Sequence, residues 1–280
     1  AWYYTEQTQY AQNAINILYT WADTFNGYAT TDGQDLLQGA WIGALMGPAA
    51  EIMSQYNGWT PQDIKDTQDM FKYHFYPVLN KMSTWNGNVD LTQIDAMMSM
   101  AVFNDDQVEF DLALERIEAR FPAYFYLDSD GGVPRIGGDY GGNLYEFWGK
   151  PTAYVDGLTQ ETCRDNNHHA QYAMASAIHA AEIAWNQGVD VYAQHQKRLV
   201  ATLELMATQM LTGNMGGLCE ISNVTTTDLY DTWQMGYNHY HNRQGINLPN
   251  TQQLIDDRVR ANGWSDWNIF FETLTHEQEQ

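Results

Sequence analysis

Apolar side chains recur every three to four positions along most of the chain, the period of an α-helix with one buried face. Between Thr5 and Phe25, Tyr10, Ala14, Ile17, Leu18 and Trp21 fall on one stripe, which predicts an amphipathic helix starting almost at the first residue. Asp35 to Tyr56 predicts a second, with Leu37, Trp41, Leu45, Ala49 and Ile52 or Met53 buried. Its Gly39, Gly43 and Gly47 permit close packing, Pro48 is expected to kink or split it, and Asn57-Gly58 stops it. Thr60-Pro61-Gln62-Asp63 carries a cap, a first-turn proline and an acid three residues after the cap, so a third helix should run to about Lys81.

The pattern of helix, short turn and helix continues. Trp85-Asn86-Gly87-Asn88 is a turn, Asp90 is placed to cap a Met-rich helix ending near Phe103, and Asp105 or Asp106 starts another reaching Arg120. The segment from Leu127 to Gln160 breaks the rhythm, with Gly131, Gly132, Gly137, Gly138, Gly141 and Gly142 interleaved with or followed by Tyr140, Tyr145, Phe147, Trp148 and Tyr154; a loop of that length inside a domain is expected to be a lid or binding wall. Helices are predicted again in the stretch Cys163 to Gly188, after a loop carrying Asn-Asn-His-His, over Val191 to Met210 and Thr227 to Arg243, and from Asn250 or Thr251 to Arg260, followed by an aromatic segment from Trp264 to Leu274. No strand set, heptad run or low-complexity tract interrupts them. About nine helices joined by short turns point to an all-α fold of antiparallel helical hairpins, read as one domain over residues 1–280.

Composition narrows the function. A hydrophobic share of 44% supports a sizeable core, and a formal charge of -22 from 35 acidic and 13 basic residues argues against nucleic acid or an anionic membrane as partner. An anionic substrate would need a local site. Charged residues make up only 17%, while Asn, Gln, Thr, Tyr and Trp are plentiful, as in many secreted carbohydrate-active proteins. No apolar run approaches the ~20 residues of a membrane span, and no basic segment precedes a short apolar core at the N-terminus, so a soluble monomer is expected. Cys163 and Cys219 are too few for a four-thiolate metal site. A single disulfide is the favoured reading. It would close a loop of roughly 57 residues and add on the order of 4 kcal/mol in the chain-entropy model. Asn223-Val224-Thr225 is a glycosylation acceptor motif.

Chemistry concentrates at two places. In CRDNNHHAQYAMASAIHAAEIAWNQG, from Cys163 to Gly188, a loop with two asparagines and two histidines runs into a helix of small residues. A helix start offers unpaired N–H groups and a positive dipole end to an anionic group. Spacing puts His168, Tyr172, Ala175, Ser176 and His179 on one face and turns His169 towards small residues. In Tyr237-Asn238-His239-Tyr240-His241-Asn242-Arg243, Trp233, Tyr237, Tyr240, His241 and Gln244 share one side of a helix, and Gly236, His239 and Arg243 another. No recognisable ligand spacing such as H-E-x-x-H occurs, so neither a metal nor another cofactor is expected.

These motifs carry a resemblance. Asn167-His168 at a helix start, Tyr237 to Asn242, Asn86-Gly87-Asn88 before a Met-rich helix, Glu161-Thr162-Cys163-Arg164-Asp165, Gln187-Gly188-Val189-Asp190 and Leu248-Pro249-Asn250-Thr251 occur in an order similar to alginate-lyase-like polysaccharide lyases, particularly family 38 and more distantly family 5. The resemblance implies an (α/α) barrel or toroid and β-elimination on a 4-linked uronic-acid polymer, glucuronan or alginate. It assigns Asn167 to neutralising the uronate carboxylate, His168 to proton abstraction, and the acid role to Tyr237 or Tyr240, with Tyr237 favoured. The distant family has an arginine seven residues before its tyrosine, where this chain has Tyr230 or Trp233, so Arg243 or Arg164 must supply the positive charge. Relatives carry more chain before the first helix, which implies a processed or truncated form whose barrel lacks an N-terminal hairpin.

The residue types suit the reaction. Removing H5 beside a carboxylate builds negative charge that amide or cationic donors stabilise, and a tyrosine suits protonation of the leaving O4. Substrate contacts are expected from Gln38, Trp41, Asn86, Asn88, Trp148, Tyr172 and His239, with Trp85, Tyr140 and Tyr145 as further stacking candidates. Two other readings compete. One is a non-catalytic carbohydrate-binding toroid. The other is a glycoside hydrolase on the same scaffold, whose carboxylate pair would be Asp165 with Asp228 or Asp231.

Overall fold

Caps and small residues explain most of the architecture in the computed structural model, which describes residues 1–29, 33–81, 83, 86–135, 141–165, 168–219, 229–262 and 271–277. Among these residues the chain is helical throughout, with only two isolated bridges, Phe125 to Thr159 and Pro151 to Cys219. The all-α expectation holds. Contacts group the chain into two compact units, residues 1–83 with 92–115, and 84–91 with 116–280.

In the first unit the helix Thr8–Thr24 packs on Gln34–Ser54 and on Pro61–Met70. Its buried face is Ala11, Ile15 and Leu18, whereas Tyr10 and Ile17 from the expected stripe are 39% and 57% exposed. Both sets have helical spacing; the packed face is the one whose smallest member, Ala11, is completely buried. Pro48 does not split Gln34–Ser54. Close packing is achieved by glycine: a Cβ on Gly43 would sit 2.8 Å from Cβ of Ala96, and one on Gly47 would sit 2.4 Å from Oγ of Ser99. The third helix is capped as its sequence predicts, Thr60 Oγ1 accepting from the Asp63 N–H at 3.2 Å, and it runs on through a π-turn, Phe71–Phe75, to Leu79.

Asn86 rather than Asp90 caps the helix Gly87–Phe103, its Oδ1 accepting from the Val89 N–H at 3.3 Å. Asp90 is fully buried instead, ion-paired with Arg116 and Arg120 and accepting the Tyr124 hydroxyl at 2.9 Å. A carboxylate so surrounded cannot also turn back to cap its own helix. The following helix, Gln107–Tyr124, starts at an Asp106 cap and passes Arg120 by one turn.

The segment expected to be a lid is packed down where it is described. Trp148 and Leu158 are buried, the Tyr126 ring meets those of Trp148 and Tyr154, and Asp130 receives Arg198 in a bidentate pair at 2.8 and 2.9 Å. Gly157 has a φ of +87° and lies where a Cβ would come within 2.2 Å of the Ala201 carbonyl, so only glycine fits. Cys163 and Cys219 form the expected disulfide. The central helix spans His169–Asn186, and Gln196–Thr212 follows it. The helical part of the second motif is shorter than predicted, Gln234–Tyr237 continuing as a π-helix over Asn238–Arg243. Leu248 to Thr251 is structural: Glu204 accepts from the N–H groups of Asn250 and Thr251 at 3.1 and 2.9 Å, closing the N-terminus of Pro249–Leu254.

The glycine contacts yield a stability test. Gly47→Ala should cost about 1–3 kcal/mol by overpacking, read as a lower urea midpoint, whereas Gly132→Ala, which has open space around it, should leave the midpoint within about 0.5 kcal/mol. Equal midpoints for the two variants would refute the close-approach account.

Candidate active site

A single buried carboxylate organises the start of the central helix. Glu161, 1% exposed, accepts from the N–H of Asn88 at 2.8 Å, from its Nδ2 at 2.8 Å and from Arg164 Nη1 at 3.0 Å. Burial raises its pKa, and nearby His169, Arg164 and Asn88 oppose that rise without cancelling it. Arg164 reaches onward, its Nη2 lying 3.3 Å from Nε2 of His169. His169 Nδ1 lies 2.7 Å from Asp165 Oδ2, and the His169 backbone N–H donates to Asp165 Oδ1 at 2.6 Å. A guanidinium can only donate, so His169 Nε2 accepts and Nδ1–H donates to Asp165. His169 therefore faces its polar neighbours, not the small residues expected beside it. Burial pushes the Asp165 carboxyl up, but its bonds to His169 and the charge of Arg164 prevail and hold it below the usual range.

The anion at this helix start is thus the protein's own Asp165. His168 follows as the N-cap residue, half-buried, its ring edge-on to His169 at 4.6 Å and to Tyr172 at 5.0 Å. Its Nδ1 meets the hydroxyl of Tyr230. Tyr230 and Tyr172 are 0% and 2% exposed, so both support the imidazole from below and neither presents a face to solvent. Arg164 is the cation of this cluster that does reach solvent, with 45% of its side chain exposed. Asn167, with Asn166, lies outside the described residues, as do Trp85, Tyr140, Asp228 and the Asn223 acceptor motif.

The second motif is placed elsewhere. Contacts climb together along the two segments: Tyr230 at His168, Trp233 at Gln171, Gly236 at Ile178 and His239 at Trp185. The motif helix therefore runs beside the central helix in the same direction, and its later residues are carried towards Glu182, about 20 Å along the helix from His168 at 1.5 Å per residue. Arg243 forms a bidentate pair with Glu182 at 2.8 and 3.0 Å, which raises its pKa and leaves it committed there. The Glu182 carboxyl, pushed up by burial, is brought by its bonds to His276 and Arg243 from 4.5 down to about 2. His239, 1% exposed, stacks on Tyr192 at 3.7 Å, and burial followed by Arg243 lowers its pKa. The Tyr240 hydroxyl donates to the Tyr192 carbonyl at 3.0 Å, and burial lifts its pKa well above 10. Tyr237 stacks on His241, and burial and then the charge of Asp256 raise its pKa.

The expected constellation is accordingly revised. His168 keeps its place, but the tyrosine that meets it is Tyr230, not Tyr237 or Tyr240, because parallel packing draws the YNHYHNR motif past the helix start. Arg243 is replaced by Arg164 as the cation beside His168. Trp148 is fully buried and donates from Nε1 to the Arg135 carbonyl at 2.8 Å, so it has no face for a sugar. Tyr172 and His239 are excluded from sugar contact by the same burial. Asn88 is buried and its amide serves Glu161 and Asn86, while Asn86 is a cap. Gln38 and Trp41 are half-buried on Gln34–Ser54 in the first unit. The hydrolase pair is weakened too, since Asp165 is spent on His169 and Asp231 accepts from Thr273 at 2.9 Å. Among the described residues no cluster has the make-up of a metal site.

Imidazole, buried phenol and guanidinium are thus gathered at one helix start of an all-α scaffold. Residues 1–135 match the family model described as alginate lyase, and no curated protein or solved structure matches the chain. That match, just under half of the chain, supports an alginate-lyase-like family member and, with it, a polysaccharide lyase. The fold of that family is the (α/α) toroid. The match takes in Gln38, Trp41, Asn86 and Asn88 and ends before the His168 cluster.

If Arg243 is structural, Arg243→Ala should destabilise the fold by about 3 kcal/mol, the cost of leaving a largely buried partner uncompensated, while the folded variant keeps kcat within about threefold. Glu182 is depressed, so the stability its pair contributes is full above pH 4.5 and is lost as pH falls towards about 2. Urea melts from pH 6 to 2 should show that acid loss in the parent and a smaller one in the variant. A kcat loss beyond tenfold in folded Arg243→Ala would return this residue to the chemistry.

Proposed function

We propose that the enzyme cleaves a 4-linked polyuronate by β-elimination, with His168 moving the proton and Arg164 receiving the uronate carboxylate. The observation that carries this is the pairing, at one helix start, of a half-buried imidazole held from below by Tyr230 with a half-exposed guanidinium held by Glu161. In the elimination C5–H and C4–O4 break and a C4–C5 double bond forms. His168 Nε2 takes H5, and the resulting imidazolium gives that proton to the departing O4. The charge that builds on the C5 carboxylate is met by Arg164, a donor whose removal costs about 10²–10³ in rate at comparable sites. Asn167, two residues beyond Asp165, is a further donor by the family resemblance.

One group serving as base and then acid acts on a single face of the sugar. In D-glucuronate and D-mannuronate H5 and O4 lie on the same face; in L-guluronate they lie on opposite faces. Glucuronan and the mannuronate blocks of alginate are therefore the favoured substrates. Secretion is part of this proposal, supported by the disulfide, which persists in oxidising compartments.

Incubation with glucuronan, polymannuronate and polyguluronate should raise the ultraviolet absorbance of unsaturated product with the first two and much less with the third. His168→Ala should lower kcat by about 10²–10⁴, and Arg164→Ala should lower kcat/KM by about 10²–10³ with Arg164→Lys partly restoring it. Absence of unsaturated product from all three polymers would defeat the substrate assignment; full activity in His168→Ala would defeat the mechanism.

A further inference from the structure

Resting on this reading of His168, the geometry points to Gln171 and Tyr230 as positioning residues that together fix the His168 ring and the proton on its Nδ1. Gln171 is 0% exposed, one turn into the central helix. Its Oε1 accepts from the Tyr230 backbone N–H at 3.3 Å and from the Trp233 indole Nε1–H at 3.3 Å. One amide oxygen thereby anchors Tyr230 by its own N–H and the chain one turn later by Trp233, which leaves Tyr230 little freedom to move. Tyr230 is itself fully buried, packed with Tyr172 and Ala175, and its hydroxyl meets His168 Nδ1. Neither residue has a surface that substrate could touch, so their effect passes through the imidazole.

The consequence is a chosen tautomer. If Nε2 is to take H5, the proton of neutral His168 must sit on Nδ1, donated to the phenol oxygen of Tyr230; the opposite tautomer would present a donor where a base is needed. Free imidazole side chains favour the proton on Nε2, so the protein has to impose the other state. A phenol both donates and accepts; in this inference Tyr230, held in place through the backbone by Gln171, accepts from Nδ1–H and so sets that state without contributing charge at the reacting atoms.

The test compares Tyr230→Phe, Gln171→Leu and Gln171→Glu with the parent, using ¹⁵N-histidine NMR of the substrate-free enzyme together with steady-state kinetics on whichever uronan is turned over. In the parent, the His168 signals should report a proton on Nδ1. In Tyr230→Phe, nearly isosteric with the parent, and in Gln171→Leu they should move towards the Nε2–H form. Turnover should then fall about 10–100-fold in kcat from misplacement of the base, with KM within about threefold. Gln171→Glu keeps the acceptor oxygen and should keep both the parent tautomer and most of kcat. A parent ring protonated on Nε2, or an unchanged Nδ1–H signal in both Tyr230→Phe and Gln171→Leu, would overturn the inference. Because the NMR arm needs no substrate, failure of the lyase mechanism, seen as full activity in His168→Ala, is separable from failure of the bracket.

Discussion

Burying a carboxylate is costly unless donors surround it, and Glu161 is the carboxylate on which the site depends. It takes three N–H donors, two from Asn88 and one from Arg164, and its pKa still stays above the ordinary range. That balance has a geometric effect. The helix start at Gly87 and the turn before the central helix are fastened to one point, and Arg164 is held at its base while its far end remains in solvent. Next to Glu161, Gln160 does the same for the backbone, its Oε1 accepting from the Gly87 N–H at 2.9 Å. Asn86-Gly87-Asn88 and Glu161 to Asp165, which look like separate motifs in the sequence, are two halves of one hydrogen-bonded junction.

The central helix distributes polar groups between its two ends. At the start, Asp165, His169, Arg164 and His168 form a connected set open to solvent on one side. Towards the end, Glu182 gathers Arg243, His276 and the Tyr192 hydroxyl in a closed network. Between them the face is alanine, so that neighbouring helices come close, as Gly236 does against Ile178 and Leu203. Two histidine-rich clusters on one helix thus have opposite characters. The first keeps a partly solvated imidazole, while the second stacks His239 on Tyr192 and sets its Nδ1 3.4 Å from Arg243 Nη1.

Legibility in the sequence followed the locality of the physics. Helix periods, the Thr60 cap and the disulfide partners depend on nearby residues or on the only possible pairing, and all were readable. The packed face of Thr8–Thr24 was not, because two stripes compete in its sequence and only tertiary contacts choose between them. Asp90 looked like a cap from its neighbours, yet two arginines twenty-six and thirty residues later claim it. At the site, Asn-His at a helix start pointed to His168, which lies there as the N-cap residue. The tyrosine partner was misplaced because spacing within YNHYHNR says nothing about how far along the central helix that motif docks. Tyr230, at the very offset where the distant family has its arginine, was the available signal, and a tyrosine in an arginine's place was passed over as a departure.

A strongly acidic enzyme acting on a polyanion is a contradiction only at long range. At physiological salt the Debye length is about 8 Å, so most of the 35 acidic side chains are screened from a uronate already in the site, and the nearest few charges decide its fate. There the balance is local. Asp165 stays an anion, but its oxygens are occupied by the His169 ring and backbone N–H, and Glu161 is buried beneath its donors, where water does not reach it. Of the cations near His168, Arg164 is the one with half its side chain in solvent. Arg243, which the sequence places as close to its own motif, is already neutralised by Glu182. The same chemical group thus keeps an edge in solvent in one place and is a rivet in the other, and what separates them is whether the partnering carboxylate occupies one edge of the guanidinium or clamps it with both oxygens.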